Sequence, residues 1–319
     1  PQISGLSNTL RRLRHADPAW IGLGVIFEGL SLGGYVLLFR TVFSCHDVRI
    51  GWRESYQITL AGTVASKLLA TAGAGGVALT VWALRASGLT PRAIARRMLS
   101  FELLLYAVFA GALLIVGAGL RSGALPGRAP WTLTVIPAAI AGGAIVVTLA
   151  LRAWPASLER RVAARAASAR RAWRLIAKLA GAPSALREAT GIVVQLVRER
   201  NFGIAGALLY WGFDMATLWA ALHAFGAPPP LPAVLMSYFV GQLANALPLP
   251  GGVGGVEGGT IGALIAFGAQ GSLAVLGVLA YRVISFWLPT VPGTVAYLRL
   301  RRTVRHWRER KPRPEAAPG

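Results

Sequence analysis

The chain has 319 residues, 55% hydrophobic and only 14% charged, with a mean hydropathy of +0.55, which excludes an ordinary soluble globular domain and points to an integral membrane protein. Its 33 Lys and Arg against 12 Asp and Glu give a net charge of +21. Apolar stretches separate the basic patches, so membrane phospholipids at an anionic leaflet, and no nucleic acid, are the expected partner. The single cysteine, Cys45, excludes an intramolecular disulfide framework and with His46 offers at most two zinc ligands. It reads as a small core or interface residue, and neither a metal nor a cofactor is expected.

In chain order, residues 1–18 form a basic segment carrying Arg11, Arg12 and Arg14. It has no apolar signal region with a cleavage site, so the first apolar window, 20–42, reads as a retained span. A bilayer core about 30 Å thick takes about 20 apolar residues per helix, and windows 98–120, 131–151, 202–226 and 272–298 also qualify. Stretches 55–84 and 231–267 are interrupted by Gly73-Ala74-Gly75-Gly76 and by Pro248-Leu249-Pro250-Gly251-Gly252. They read as broken helices or re-entrant pairs, which persist at membrane depth only inside protein or beside a polar cavity. The connector 152–200 carries eleven basic and three acidic residues. Within it Leu158, Val162, Ala166, Ala169, Trp173, Ile176 and Leu179 recur at spacings of three and four, predicting an amphipathic helix on the cytoplasmic leaflet; a solvated basic linker is the blander alternative. Residues 299–313 hold eight basic residues and one acid, and the bias of Lys and Arg places both termini inside. The Pro-rich end beyond Lys311 reads as disordered.

The chain also matches itself. Phe27-Glu28 aligns with Phe213-Asp214, Gly75-Gly76-Val77 with Gly254-Gly255-Val256, Gly88 with Gly268, and Phe101-Glu102 with Tyr281-Arg282, at offsets of 179 to 186. The expectation is one all-α, polytopic transmembrane domain over 19–298 with about 7–9 helical segments. Repeat A covers 20–120, an extra span 131–151, the connector 152–200 and repeat B 202–298; a basic, partly disordered cytoplasmic tail follows over 299–319. Paired repeats with broken segments are typical of transporters whose site lies at the repeat interface. Three cytoplasmic basic regions conflict with an odd number of crossings, so inverted and parallel repeats both stay open at this point.

Charge inside the membrane costs roughly 2.5–3.5 kcal/mol per residue on insertion scales, which makes each such residue a functional candidate. Glu28, Glu102, Asp214 and Glu257 are the acids, and Lys67 and Arg282 the cations, well inside apolar stretches, while Arg40 and Arg85 lie near ends and can snorkel. The alternative role is mutual pairing that fixes helix packing. Between residues 245 and 259, prolines stop one half-helix and glycines permit close backbone approach. A second half-helix then begins near Val256, with Glu257 in its first turn, where an acid suits the dipole and the N–H groups can receive a lipid phosphate. Capping alone is the competing reading of Glu257. No βαβ unit surrounds these glycines, which sets aside a dinucleotide site.

The run from Asn245 to Glu257 resembles the signature of the flippase-like family named for the transmembrane region of lysylphosphatidylglycerol synthase. Asn245, Pro248, Pro250, Gly251, Gly252, Gly254 and Glu257 match it residue by residue, and Arg282 sits where the family tends to place an arginine in the next span. The resemblance implies an all-helical membrane domain that moves lipids or lipid-linked groups between leaflets, with those residues at the substrate. The first repeat departs from it, since Thr71 to Gly76 contains neither proline nor acid. The aminoacyl-transfer domain of full synthases does not follow, so lysyl transfer is not expected.

His15, His46, His223 and His306 are scattered, and no zinc-protease, Walker or nucleophile-elbow motif is present, so catalysis is not expected. The favoured reading is a multi-pass protein of the inner or plasma membrane that translocates lipid through a polar cavity. Arg282 and the helix start near Glu257 would meet phosphate, and Asp214, Glu28 or Glu102 an amino headgroup. Alternatives are a lipid-binding scaffold supporting a cell-envelope enzyme and a lipid-modifying enzyme.

Overall fold

The computed structural model describes residues 16–44, 50–68, 74–157, 161, 181–243 and 254–309. Outside them lie Asn245, Pro248, Pro250, Gly251, Gly252, Thr71, Gly73, Cys45, His46, the basic residues before 16, the helix expected over 158–179 apart from residue 161, and the end beyond 309; so does the side chain of Lys67.

Every regular element among the described residues is helical. Helix α1 (Pro18–Phe43) starts at Asp17, whose carboxylate accepts the Ala19 N–H at 2.9 Å, with proline in the first turn. A hairpin follows, α2 (Trp52–Leu68) and α3 (Ala74–Ala86). Gly88, at φ 107°, ends it: its N–H reaches the Arg85 carbonyl while the Leu89 N–H reaches that of Leu84. Thr90 caps α4 (Pro91–Ser122), α5 (Trp131–Ala153) returns, and the amphipathic α6 (Ala182–Arg198) buries Leu186, Ala189 and Leu196 beside them. A 3-10 turn leads into α7 (Gly206–His223). The second hairpin is α8 (Leu231–Leu243) and α9 (Gly255–Ala266). It ends like the first, at Gly268 (φ 103°), with the Gly268 and Ala269 N–H groups on the Ile265 and Leu264 carbonyls. Then come α10 (Gly271–Arg282), a π turn over Val283–Trp287 and α11 (Thr290–Glu309). Helices α1, α4, α5 and the continuous run Gly271–Trp307 are long and apolar enough to cross a membrane.

Contacts at the helix ends set their directions. At one face the Asp17 N–H bonds to the Ala224 carbonyl at 3.0 Å, and the chain before α5 touches the starts of α8 and α10 through Gly127 against Ala233 and Arg128 against Gly268. At the other face Arg97 donates to the Val42 carbonyl, Arg92 pairs with Glu188, and Arg187 reaches the Trp154 carbonyl at 2.8 Å. Thr303 of α11 donates to Gln57 of α2 at 2.9 Å, five residues from the start of α2 on this second face. Both arms of the first hairpin therefore enter from the second face and both arms of the second hairpin from the first; they are re-entrant pairs. The same directions place Pro18 and Glu309 on opposite faces. Among the described residues the two re-entrant pairs contribute no crossing, which leaves α1, α4, α5, the run from α10 into α11, and α7 through its packing along α1, as passes; the two ends of the chain, expected on one face, lie outside the described residues.

The repeats are inverted. Helices α1 and α7 pack antiparallel, with Ser31 Oγ donating to the Tyr210 carbonyl at 2.9 Å and Thr217 Oγ1 to the Gly24 carbonyl at 3.4 Å. Under the offset that pairs Phe27 with Phe213, Ser31 corresponds to Thr217 and Gly24 to Tyr210, so the two hydrogen bonds are one interaction made twice. Phe27 and Phe213 stack on each other at 5.8 Å, which puts a pseudo-two-fold axis in the membrane plane between them. Glycine permits this contact: a Cβ on Gly206 would lie 2.5 Å from the Gly34 carbonyl oxygen, and one on Gly34 2.7 Å from the Tyr210 nitrogen.

Gly206→Val should therefore separate α1 from α7 and lower stability by about 1–3 kcal/mol, whereas Gly33→Ala, with nothing within 4 Å of the added carbon, should leave it unchanged. Thermal melting of the detergent-solubilised variants checks this; equal melting temperatures would contradict the close contact.

Candidate functional site

A rise of about 1.5 Å per residue sets the depth of each intramembrane charge. Glu28 lies ten residues into α1, Glu102 eleven into α4, Arg282 eleven into α10, and Asp214 nine from the end of α7, each about 14–17 Å from a face. That is half of a hydrocarbon core about 30 Å thick.

Asp214 is buried and forms the centre. The Tyr238 hydroxyl of α8 donates to its Oδ2, and the Tyr281 hydroxyl of α10 to both oxygens at 3.1 and 3.2 Å. Gln242 Nε2 stands 3.5 Å from the Tyr281 hydroxyl. A carboxylate has acceptors to fill and no donor, so two phenols from two helices let it exist at this depth. Glu28, the pseudo-symmetric counterpart of Asp214, is 4% exposed and within electrostatic range of Tyr210 and Tyr281. Glu102 sits further along the same aromatic line, acting on Tyr35 and Tyr106, with the Tyr35 and Tyr210 rings 5.0 Å apart. The three acids thus collect along the α1–α7 contact, from Glu102 on α4 to Asp214.

Glu257 and Arg282 form a second cluster, joined to the first because Tyr281 and Arg282 are consecutive. Glu257 divides its carboxylate. One oxygen accepts the Gly254 N–H at 2.7 Å, and the other accepts Arg282 Nε at 2.6 Å. Capping and ion pairing, each of which sequence reasoning weighed as an alternative to a substrate role, coexist on one side chain. Gly254 holds φ 86°, which opens α9 directly onto the pair. Arg282 also lies over the Phe286 ring, 4.8 Å from its centroid, and is followed by the π turn, where Pro289 has no N–H for the Ser285 carbonyl. Side-chain exposures of 14% for Arg282 and 17% for Glu257 leave the pair reachable rather than sealed.

Of the residues expected at the site, the structure gathers Glu28, Glu102 and Asp214 in one line and pairs Glu257 with Arg282 beside it; Gly254 shapes the turn. Sequence reasoning missed Tyr238, Tyr281, Tyr210 and Tyr35. Their signal was present, a phenol in the same apolar window as an intramembrane charge, but a tyrosine in a membrane span draws attention only once its acceptor is known. Arg40, expected to snorkel, lies over the Trp52 ring at 4.6 Å, near the end of α1.

Chemically, the arrangement offers a cation next to a helix start for an anion, and buried carboxylates with hydroxyl partners for a cationic group. Hydrogen bonds to a charged acceptor are worth about 1.5–3 kcal/mol, so Tyr238→Phe should lower detergent melting by that order. The loss should shrink when Asp214 is already Asn, because the charged acceptor is gone. Equal losses in both backgrounds would separate Tyr238 from Asp214.

The family model for the lysylphosphatidylglycerol synthase TM region matches residues 3–293. A UPF0104 membrane protein of Methanothermobacter thermautotrophicus is 26% identical over 302 residues, covering 89% of this chain and 86% of that protein. A second match, also to a UPF0104 membrane protein of that organism, is 34% identical over 90 residues, 28% of this chain and 27% of the relative. With inverted helical repeats, two re-entrant hairpins and this match along nearly its whole length, the chain belongs to the family of lysylphosphatidylglycerol synthase transmembrane regions.

Proposed function

We propose that this multi-pass membrane protein translocates a phospholipid or a lipid-linked headgroup through the polar site at the interface of its inverted repeats. The observation that carries the reading is the depth of that site. Four charged side chains from α1, α7, α4 and α10, with Glu257 beside them, lie near the bilayer midplane and hold one another and a set of tyrosines, a costly arrangement that suits a substrate path. In this reading a lipid phosphate takes the place of the Glu257 carboxylate on Arg282. An amino headgroup is met by Asp214 and Glu28, and then by Glu102. The acyl chains stay in lipid. The chain carries no recognisable nucleotide-binding motif, so movement is downhill or coupled to an ion gradient. Translocation needs no covalent step, and we propose none.

The face that carries α6 and the end of α11 is inferred to be cytoplasmic, because the connector and residues 299–313 hold most of the basic surplus. Reporters fused after residue 157 and after residue 309 should both read cytoplasmic, while one in the loop between α7 and α8 reads outside. A cytoplasmic signal from that loop would reverse this topology.

Liposomes reconstituted with the protein and a panel of labelled lipids test the transport itself. A scaffold would move none of them, and a lipid-modifying enzyme would change a lipid's mass. Glu257→Gln and Arg282→Gln should each extract normally yet lose translocation by about tenfold or more, equivalent to about 1.4 kcal/mol of lost contact, and the double variant should not regain it. A packing pair behaves otherwise: removing one partner destabilises, and removing both restores much of the stability. Recovered stability with undiminished transport in the double variant would sink the site assignment and favour the scaffold.

A further inference from the structure

On the face that carries the connector, the end of α5 and one side of α6 enclose a cleft of about 700 Å³. Arg152 from the last turn of α5 and Arg187 and Arg198 from α6 line it, with Thr190, Val194 and Gln195 between them. Arg187, Thr190, Val194 and Arg198 recur at helical spacing, so one stripe of α6 faces the cleft while Leu186, Ala189 and Leu196 are buried against the bundle. Glu199 is the one acid on the lining, and its carboxylate accepts from Gln195 Nε2 at 2.8 Å. Three guanidinium groups thus outnumber one occupied carboxylate.

We propose that this cleft binds the phosphate-bearing headgroup of an anionic phospholipid from the adjacent leaflet, at a site separate from the intramembrane acids. Arginine is suited to it, because its planar fork pairs with phosphate oxygens at two points. The cleft also stands at the depth where a headgroup is found. Arg152 closes an apolar span of full membrane length. Trp154, 40% exposed, marks the interface immediately beyond it, with its carbonyl held by Arg187 at 2.8 Å. Val197 of α6, 52% exposed, leaves an apolar edge beside the guanidinium groups where acyl chains can lie. A soluble phosphate would use the cations and have no use for that edge. The lipid would tie α6, and the connector it belongs to, to the end of α5. The assignment does not depend on translocation.

The test titrates the detergent-solubilised full chain with dioctanoyl phosphatidylglycerol, dioctanoyl phosphatidylcholine and inorganic phosphate, read by calorimetry. An Arg282→Gln background excludes binding at the intramembrane site. Arg152→Gln and Arg198→Gln are the working variants, since both side chains are exposed and their loss leaves the fold in place. Each should weaken phosphatidylglycerol about fivefold and the pair about 25-fold, with the affinity of the parent falling as salt rises. Arg121→Gln, at the opposite end of α4, should change nothing. Undiminished binding by the double variant, or equal binding of the zwitterionic lipid, would overturn the site. Inorganic phosphate binding as tightly as the lipid would overturn the lipid assignment. Liposome transport is read separately, so a transport-dead protein that still binds phosphatidylglycerol here refutes the proposed function and leaves this cleft intact.

Discussion

The antiparallel contact between α1 and α7 is the constraint on which the rest of the molecule depends. Two hydroxyl-to-carbonyl hydrogen bonds related by the pseudo-two-fold, and two glycines that let backbones meet without side chains between them, hold the repeats face to face. In lipid there is no hydrophobic drive to bring helices together, so small residues and polar cross-links carry the association. Because the axis runs between Phe27 and Phe213, the residues that follow them, Glu28 and Asp214, are carried to neighbouring positions at the same depth. The acids are close because the repeats are inverted, and the repeats can dock because Gly34 and Gly206 leave room for the backbones to meet.

The same symmetry distributes charge unequally. The two hairpins end in matching glycine caps at Gly88 and Gly268, yet the second brings Glu257 to a cation and the first has no acid at the corresponding turn. At the positions that correspond across α4 and α10, one repeat carries Glu102 and the other Arg282. Opposite charges at equivalent positions give the site a charge asymmetry along one direction, the feature on which the proposed recognition of a headgroup rests. The phenols of Tyr238 and Tyr281 make the buried charge of Asp214 sustainable, since a carboxylate without donors at this depth would cost several kcal/mol.

Much was legible in the sequence for a physical reason. A bilayer demands long apolar helices with internally satisfied backbone, so composition and window length alone determined an all-helical, polytopic protein, and the rarity of charge inside those windows picked out Glu28, Glu102, Asp214, Glu257 and Arg282. Self-alignment found the repeat, and the run ending at Glu257 found the family. Only the tertiary structure decided how these parts face one another. Hydropathy is blind to direction, so an apolar stretch interrupted by glycines reads alike whether it crosses or turns back. The re-entrant hairpins, the inverted sense of the repeats and the opposite faces of Pro18 and Glu309 emerged from contacts between residues far apart in the chain. The same holds for the tyrosines around Asp214 and the arginine cleft beside α6: a phenol or a guanidinium acquires its role from the acceptor that another helix brings to it, and no local pattern encodes that meeting.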